Sequence, residues 1–392
     1  VSLFARRDLG DTVNQLVPVR PRSVASVNVD ATSALRSSAV WACLRLRADL
    51  LSTMPAGVYR RQGGIDVPMQ TAPLFIQNPA GDKFGVEDWL YQTQIDLDRF
   101  GNCYGLNDRN GQGLIQTVTP VAASSVRIKG KGSIITAYNI DGTDYAPSDV
   151  WHERQYPLPG SPVGLSPIAF AAFTIGGYLS AQQFGLDWFG NGSIPAGRLK
   201  NTAKTINPGE AQIAKERFKT AVANRDLFVH GADWEYDTLS TAANESQFIE
   251  TMNFGVQDIA RFFGVPGDLI DAPAMSSAKI TYANITQRHL QFLVMSLAPS
   301  IRRRERALTN ALPQPQYVKF DTDSILRLDP LSLASMLTQM TGGKPLLASS
   351  EARNRLNLPP FTAEQLAEMD QLAAHAAPVA PASTPAPTEE PA

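Results

Sequence analysis

The stretch GSPVGLSPIAFAAFTIGGYLSAQQFGLDWFGNGSIP (residues 160–195) decides the fold. Ser166 can cap a helix, and Pro167 can open it, because proline lacks only an N–H that the first turn leaves unpaired. Asn191 and Gly192 are expected to close the same helix. No charged residue occurs from Gln155 through Leu186, so this element must be covered by its own fold, by a neighbouring subunit or by a membrane. A spanning helix needs roughly 20 mostly apolar residues, and Thr174, Ser180, Gln182 and Gln183 interrupt the run, which argues against the membrane. Burial by copies of itself suits the pattern. Gly176 and Gly177 allow close backbone approach at some expense of helix propensity, while Phe170, Phe173, Leu179 and Phe184 supply apolar area. The plainer alternative is a core helix of an ordinary domain.

Around that helix, composition sets limits. A chain of 392 residues and 42.5 kDa can bury a substantial core in two or three domains. A formal net charge of -2 argues against a protein whose main task is gripping a nucleic-acid backbone, without excluding nucleic acid passing nearby. Cys43 and Cys103 give no disulfide framework and fit a reducing compartment or simple packing. The segment VSLFARRDLG lacks the apolar core of a secretion signal. Residues 1–34 read as a flexible arm, and residues 373–392, rich in proline and poor in apolar side chains, as a disordered tail.

The ordered part begins with a helix capped by Ser37 or Ser38, carrying Val40, Cys43, Leu44, Leu50 and Leu51 at helical spacing and ending before Pro55 and a strand at Gly57 to Arg61. Val86 to Phe100 forms a second helix around Trp89, Leu90, Ile95 and Leu97. Its carboxylates Glu87, Asp88, Asp96 and Asp98 read as solvated surface, since Asp96 and Asp98 do not share a face and no histidine or cysteine cluster accompanies them. Short strands with turns at Asn110-Gly111 and Asp141-Gly142 follow to about Trp151, and Trp151 and Tyr156 are expected to pack. Strands at Ile194 to Leu199, Leu227 to Val229 and Trp234 to Leu239 flank a helix opened by Asn207-Pro208 with Glu210. Asn244 caps a helix through Phe263. A loop rich in Gly and Pro, GVPGDLIDAPAMSS, precedes a third long helix begun by Ser276 or Ser277, with Ile280, Ile285, Leu290, Leu293, Met295 and Leu297 inside and a bend at Pro299. The run Arg302, Arg303, Arg304, Glu305, Arg306 reads as a solvated or salt-bridged helix end, with a nucleic-acid contact as the alternative.

No catalytic constellation emerges. Gly342-Gly343-Lys344 is not a phosphate loop, because Thr338 stands at the first glycine position and Pro345 follows the lysine. His152 beside Glu153 lacks the second helical histidine of a zinc site, and no serine lies in a Gly-x-Ser-x-Gly elbow. The expectation is a protein that is not an enzyme and holds neither metal nor cofactor. A hydrolase or nuclease would require a convergent carboxylate or histidine site.

Six motifs in succession resemble the portal proteins of tailed bacteriophages, of the type with long noncontractile tails. They are SAVWACLRLRADLLSTMPAGVYRR (38–61), FGNCYGLNDRNGQGLIQTVTP (100–120), DVWHERQY (149–156), GLSPIAFA (164–171), WFGNGSIPAGRL (188–199) and IARFFGVPGDLI (259–270). Their order is more specific than any one of them. Trp41 and Arg47 depart from the pattern, standing where smaller or less charged residues are commoner.

The resemblance implies an α+β portal fold with wing, long-helix stem, small α/β clip and helical crown, assembled as a dodecameric ring at the capsid vertex. DNA enters and leaves through such a ring. On that pattern residues 35–165 and 280–328 are the wing, 166–190 and 244–263 the stem helices, 191–243 the clip, 264–279 the tunnel loop and 329–372 the crown. Implied partners are further copies of the chain, the terminase large subunit, the head-tail adaptor, the major capsid protein and double-stranded DNA, with no membrane. The implied location is the virion, after assembly in the host cytoplasm. Ser276, Ser277 and Lys279 are the candidate DNA-channel residues, and Trp234 and Tyr236 candidate docking anchors for motor or adaptor if exposed. The alternative class is a structural head-to-tail adaptor or tail ring protein.

Overall fold

The computed structural model describes residues 28–131, 133–190, 197–202, 205, 207–223, 233–238, 245–272, 287–288, 290–322, 330–342, 346–355 and 359–376. The chain divides into two compact units, residues 1–326 and 327–392.

In the first unit, helix α1 (Ser38–Ser52) starts where the Ser37 hydroxyl accepts from the Val40 N–H, and its stripe Val40, Cys43, Leu44, Ala48 and Leu51 is buried. Strand β1 (Ala56–Gln62) follows the Pro55 break. It is the centre of a three-stranded antiparallel sheet, between β2 (Ile65–Pro68) and a late strand, Gln316–Phe320, with Val58 opposite Val318. A short α2 (Leu74–Gln77) leads to α3 (Val86–Phe100), which packs along α1. The core between them is aromatic: Trp89 lies within 6.4 Å of Phe75 and 6.0 Å of Trp151, in edge-on arrangements that suit the ring quadrupoles.

Two further antiparallel sheets complete this region. In one, β3 (Asn102–Arg109) is flanked by β4 (Ile115–Val121) and β8 (Val150–Arg154); in the other, β6 (Ile134–Ile140) is flanked by β5 (Val126–Lys131) and β7 (Thr143–Tyr145). Asp141 and Gly142, both at positive φ, make the tight β6–β7 turn. The Asn110 turn is longer than the expected two-residue hairpin. Asn110 Oδ1 accepts from the N–H groups of Gln112 and Leu114, and Gly113 takes the left-handed position.

Helix α4 (Pro167–Gly190) is the element expected from the opening stretch. Ser166 caps it: its hydroxyl accepts from Ala169 N–H and donates to the Arg99 carbonyl at the end of α3. The entry angle is fixed just upstream. Gly101 ends α3 at φ 73°, and Gly164 passes so close to Gly101 and Gln155 that a Cβ on either glycine would enter a backbone carbonyl. Helix α6 (Glu245–Phe263) runs beside α4. Gly255 makes room for the Tyr178 ring, Gly185 for Phe248, and Thr174 donates to Asp258 at 3.0 Å. Between them lie α5 (Pro208–Ala223) and the antiparallel pair β9 (Gly197–Asn201) and β10 (Trp234–Thr238).

Several expectations about burial fail. Asp98 is fully buried and Asp96 partly so, whereas a solvated helix face was expected. The arginine run is salt-bridged, as one of its two readings has it, through Arg302–Glu305 and Arg304–Glu153, but the helix Ala298–Asn310 continues past it and Arg304 and Glu305 point inward. Leu290 and Met295, expected inside, are 46% and 74% exposed, and a π-turn at Leu293–Leu297 breaks the α period there. Tyr156 is also exposed, at positive φ, with Arg303 over its ring. Leu227 to Val229 and the third helix's start at Ser276 or Ser277 lie outside the described residues.

The second unit contains helices Pro330–Thr341, Ser349–Arg355 and Ala363–Ala376. Leu337 and Ala352 are buried within it, and Arg353 lies 3.8 Å from the Phe361 ring centre while donating to the Pro359 carbonyl.

The glycine junction gives a direct stability test. Gly101→Ala should cost at least ~2–3 kcal/mol, since positive φ and a backbone clash act together. Gly113→Ala, at φ 78° with nothing within 4 Å, should cost only about 1 kcal/mol. Thermal or denaturant melts of the two variants should separate accordingly.

Candidate functional site

The feature built with most care lies at the foot of the α4–α6 pair. The Arg47 guanidinium, 1% exposed, donates to Asp98 Oδ2 at 3.1 Å, to the Phe263 carbonyl at 3.2 Å and to the hydroxyls of Ser296 and Ser300 at 3.1 Å each. Asp98 in turn accepts from Gln94 at 2.9 Å and Gln155 at 2.8 Å. Both charges are thus surrounded by hydrogen bonds, the condition under which a buried pair is tolerated. The pair joins α1, α3, the end of α6 and the turn before the Ala298–Asn310 helix. Arg47 was a departure from the sequence pattern without an assigned role.

A second buried pair lies nearby in the fold. Arg304 meets Glu153 at 2.7 Å, Glu153 also accepts from the Trp151 indole at 2.8 Å, and the guanidinium sits over the Trp89 ring. Burial pushes the Glu153 carboxyl up, and the Arg304 charge opposes that shift. Glu305 accepts from the Phe320 N–H, stitching the late strand to this helix.

The third polar cluster holds the start of α4 to the outer sheet. His152 is half-buried and its pKa is driven down to about 3, chiefly by desolvation, so the ring is neutral. Its Nε2 faces Asn102 Oδ1 at 3.2 Å and its Nδ1 faces the Tyr138 hydroxyl at 2.9 Å. Since the amide oxygen can only accept, Nε2 carries the proton and Nδ1 accepts from Tyr138. Asn102 Oδ1 also accepts from Gly164 N–H, immediately before α4. None of these groups is arranged as a nucleophile with a base. Burial pushes the Cys43 thiol up to about 12 and the Cys103 thiol well above its ordinary range, so both are inert packing residues. Among the described residues no group of three His, Cys, Asp or Glu could hold a metal ion, and no helix is long and apolar enough to cross a membrane.

The surface of α4 is unusual. Ile168, Ala171, Ala172, Ile175 and Tyr178 face the core, yet Phe170, Phe173 and Gly177, at i, i+3 and i+7, lie on the opposite side, with Phe173 71% exposed. Phe184 continues that side at 51% exposure, its ring 6.3 Å from Phe248. On α6, Ile249 and Phe254 are also exposed. A helix that is apolar on both faces has one face too many for a single chain.

Of the residues singled out from sequence, Trp234 is half-buried on β10, opposite Asn201, and Tyr236 pairs with Leu199 in the same ladder. Ser276, Ser277 and Lys279 lie outside the described residues. Described residues before that stretch include the turn Gly267–Ile270, where Asp268 pairs with Arg288 at 3.0 Å.

Comparison with known proteins agrees with the portal family read from the motifs and does not distinguish the tail type. The profile described as "Phage portal protein" matches residues 38–357. A probable portal protein of Streptomyces phage phiC31 is 29% identical over 322 residues, covering 76% of this chain and 69% of its own. The fold is similar to a crystal structure of an HK97 family phage portal protein from Corynebacterium diphtheriae, with a TM-score of 0.60, 17% identity and coverage of 76% of this chain and 98% of that one. It is also similar to a chain in the neck of a native gene transfer agent particle computed with C12 symmetry, with a TM-score of 0.56, 17% identity and coverage of 87% and 95%. The chain belongs to the phage portal protein family.

Two measurements test this electrostatic framework. Arg47→Ala strands the Asp98 carboxylate in the interior and should cost ~3–5 kcal/mol, whereas Arg45→Ala, on the exposed side of α1, should stay within about 0.5 kcal/mol. Asp96 gives a pH test. Burial raises its pKa to about 6, against the Ala123 N–H and Arg99, which lower it. A raised carboxyl pKa means that its contribution to stability is complete below about pH 4 and is lost as pH rises through 6. Asp96→Asn should therefore melt higher than the parent at pH 7.5, by on the order of 1–3 kcal/mol, with the gap closing at pH 4. An equal gap at both pH values would contradict this origin.

Proposed function

We propose that this portal-family chain assembles into a dodecameric ring at one capsid vertex, forming the channel through which double-stranded DNA is packaged and later ejected. The observation that carries the reading is the second apolar face of α4. Its Phe170, Phe173 and Gly177 side is left to water by the isolated chain. Another copy of the same helix pair is the economical cover, because a closed ring presents the same surface to every neighbour. The neck computed with C12 symmetry, to which this chain is similar in fold, supports a cyclic arrangement. At 24 residues α4 is about 36 Å long, enough to form a tall wall in such a ring.

In this reading residues 35–165 and 280–328 form the wing, α4 and α6 the stem, residues 191–243 the clip, 264–279 the tunnel loop and 329–372 the crown. The clip, carried between the two stem helices, docks the terminase large subunit during filling and the head-tail adaptor afterwards, with Trp234 and Tyr236 as its aromatic anchors. Ser276, Ser277 and Lys279 face the duplex. A ring repeats each lysine as a belt of positive charge that centres DNA, while a chain of net charge -2 avoids the tight phosphate contacts that would stop it sliding. The protein carries out no bond chemistry. It acts within the virion against the major capsid protein.

Phe173→Asp separates folding from assembly. The side chain is 71% exposed, so the monomer's melting should move by no more than about 0.5 kcal/mol, while sedimentation and native mass spectrometry should show the ring lost. A variant that still forms rings would overturn this role for α4, and particles formed with it that package DNA normally would overturn the channel reading.

A further inference from the structure

The π-turn at Leu293–Leu297 sits where two opposing demands meet. Ala298 N–H donates to the Leu293 carbonyl, five residues back, instead of to Val294. Pro299 then has no N–H to offer the Met295 carbonyl, so ordinary α-helical bonding is already incomplete at this point. Two contacts hold the widened turn. Arg47 donates to both Ser296 and Ser300, gripping its downstream side, and Asp268 pairs with Arg288 on its upstream side.

The apolar run around the turn fits more than one register. Phe292, Leu293 and Leu297 are buried, while Val294 and Met295, in the same run, are 52% and 74% exposed. Removing the extra residue of the π-turn moves every upstream residue by one position. Leu293 then takes the place of Phe292, and Val294 the place of Leu293. Both core positions stay filled with aliphatic side chains. Phe292 moves to the exposed position of Gln291, and Arg288 turns away from Asp268.

We propose that Leu293–Leu297 is a register switch, with the π-turn as the resting state and an α-helical alternative in which residues 290–292 turn by about 100° and shift by about 1.5 Å along the helix axis. Arg47 and the Asp268–Arg288 pair select the resting register. The Phe292 exposure disfavours the alternative, and contact with a partner or neighbouring copy that covers it can reverse the preference. Through Arg47, which holds the Phe263 carbonyl as well as Ser296 and Ser300, the switch can transmit movement between the end of α6 and the helix Ala298–Asn310 without breaking either core. It does not depend on the ring reading.

Density maps of the full chain carrying Asp268→Asn with Pro299→Ala test it. The first change removes the upstream selector, and the second restores the N–H that the Met295 carbonyl needs. The expected map shows continuous α-helical bonding through residue 299, with Val294 in the core position now held by Leu293. A map retaining the π-turn with Phe292 still buried overturns the proposal. Should the double variant not fold, Asp268→Asn alone keeps the question answerable by hydrogen exchange. Loss of one partly exposed pair should raise exchange at the amides of residues 290–298 by about two- to fivefold, leaving α1 and α3 unchanged. Unchanged exchange at 290–298, or an equal rise across α1 and α3, would refute a local switch.

Discussion

The Arg47 guanidinium forces four segments far apart in sequence into one arrangement. It sits in α1 and reaches Asp98 on α3, the last carbonyl of α6, and two serines at the start of the following helix. In a low-dielectric interior each unmet N–H or carboxylate oxygen would be expensive, so the group tolerates little displacement of any segment it touches. Gln94 and Gln155 add to the constraint by donating to Asp98 Oδ2 and Oδ1 respectively. Apolar packing alone would have allowed α1, α3 and α6 to slide, since hydrophobic contact is non-directional. The buried pair fixes their register.

The α4–α6 hairpin is built on that anchored foot. Its entry is set by the Gly101–Gly164 crossing and the Ser166 cap, and its packing by glycines facing Tyr178 and Phe248. Both features make the α4–α6 pair rigid where it leaves the sheets of the first unit. The outer face of α4 is consequently presented in a fixed orientation, which lowers the ordering entropy that association must overcome. Rigid presentation and an uncovered apolar face together account for a helix that holds no charge over its first five turns.

Much of this was legible in the sequence, and the parts that were not share a cause. Ser166 and Pro167, the Val86–Phe100 helix, the break at Pro55 and the Asp141-Gly142 turn follow from local chemistry, and each stands where the residues predict. Charged side chains read wrongly. Periodicity identifies apolar faces, but a carboxylate or arginine inside the core depends on a partner tens or hundreds of residues away, as with Arg47 and Ser300 or Arg304 and Glu153. Met295 was misplaced for a different reason: one extra residue in the π-turn shifts the helical phase, and a period of 3.6 cannot report that. The residues around Ser276 and Lys279 carry a functional expectation from the family pattern alone.

The central claim is that α4 uses one face to build its own chain and the other to meet an identical neighbour. A density map of the assembled full-length protein tests it most directly, by showing what lies against Phe170 and Phe173. The account predicts a closed ring with an axial channel, in which those phenylalanines are covered by the α4–α6 pair of the adjacent copy. A map in which the Phe170–Phe173 face points to solvent or into the channel would contradict it.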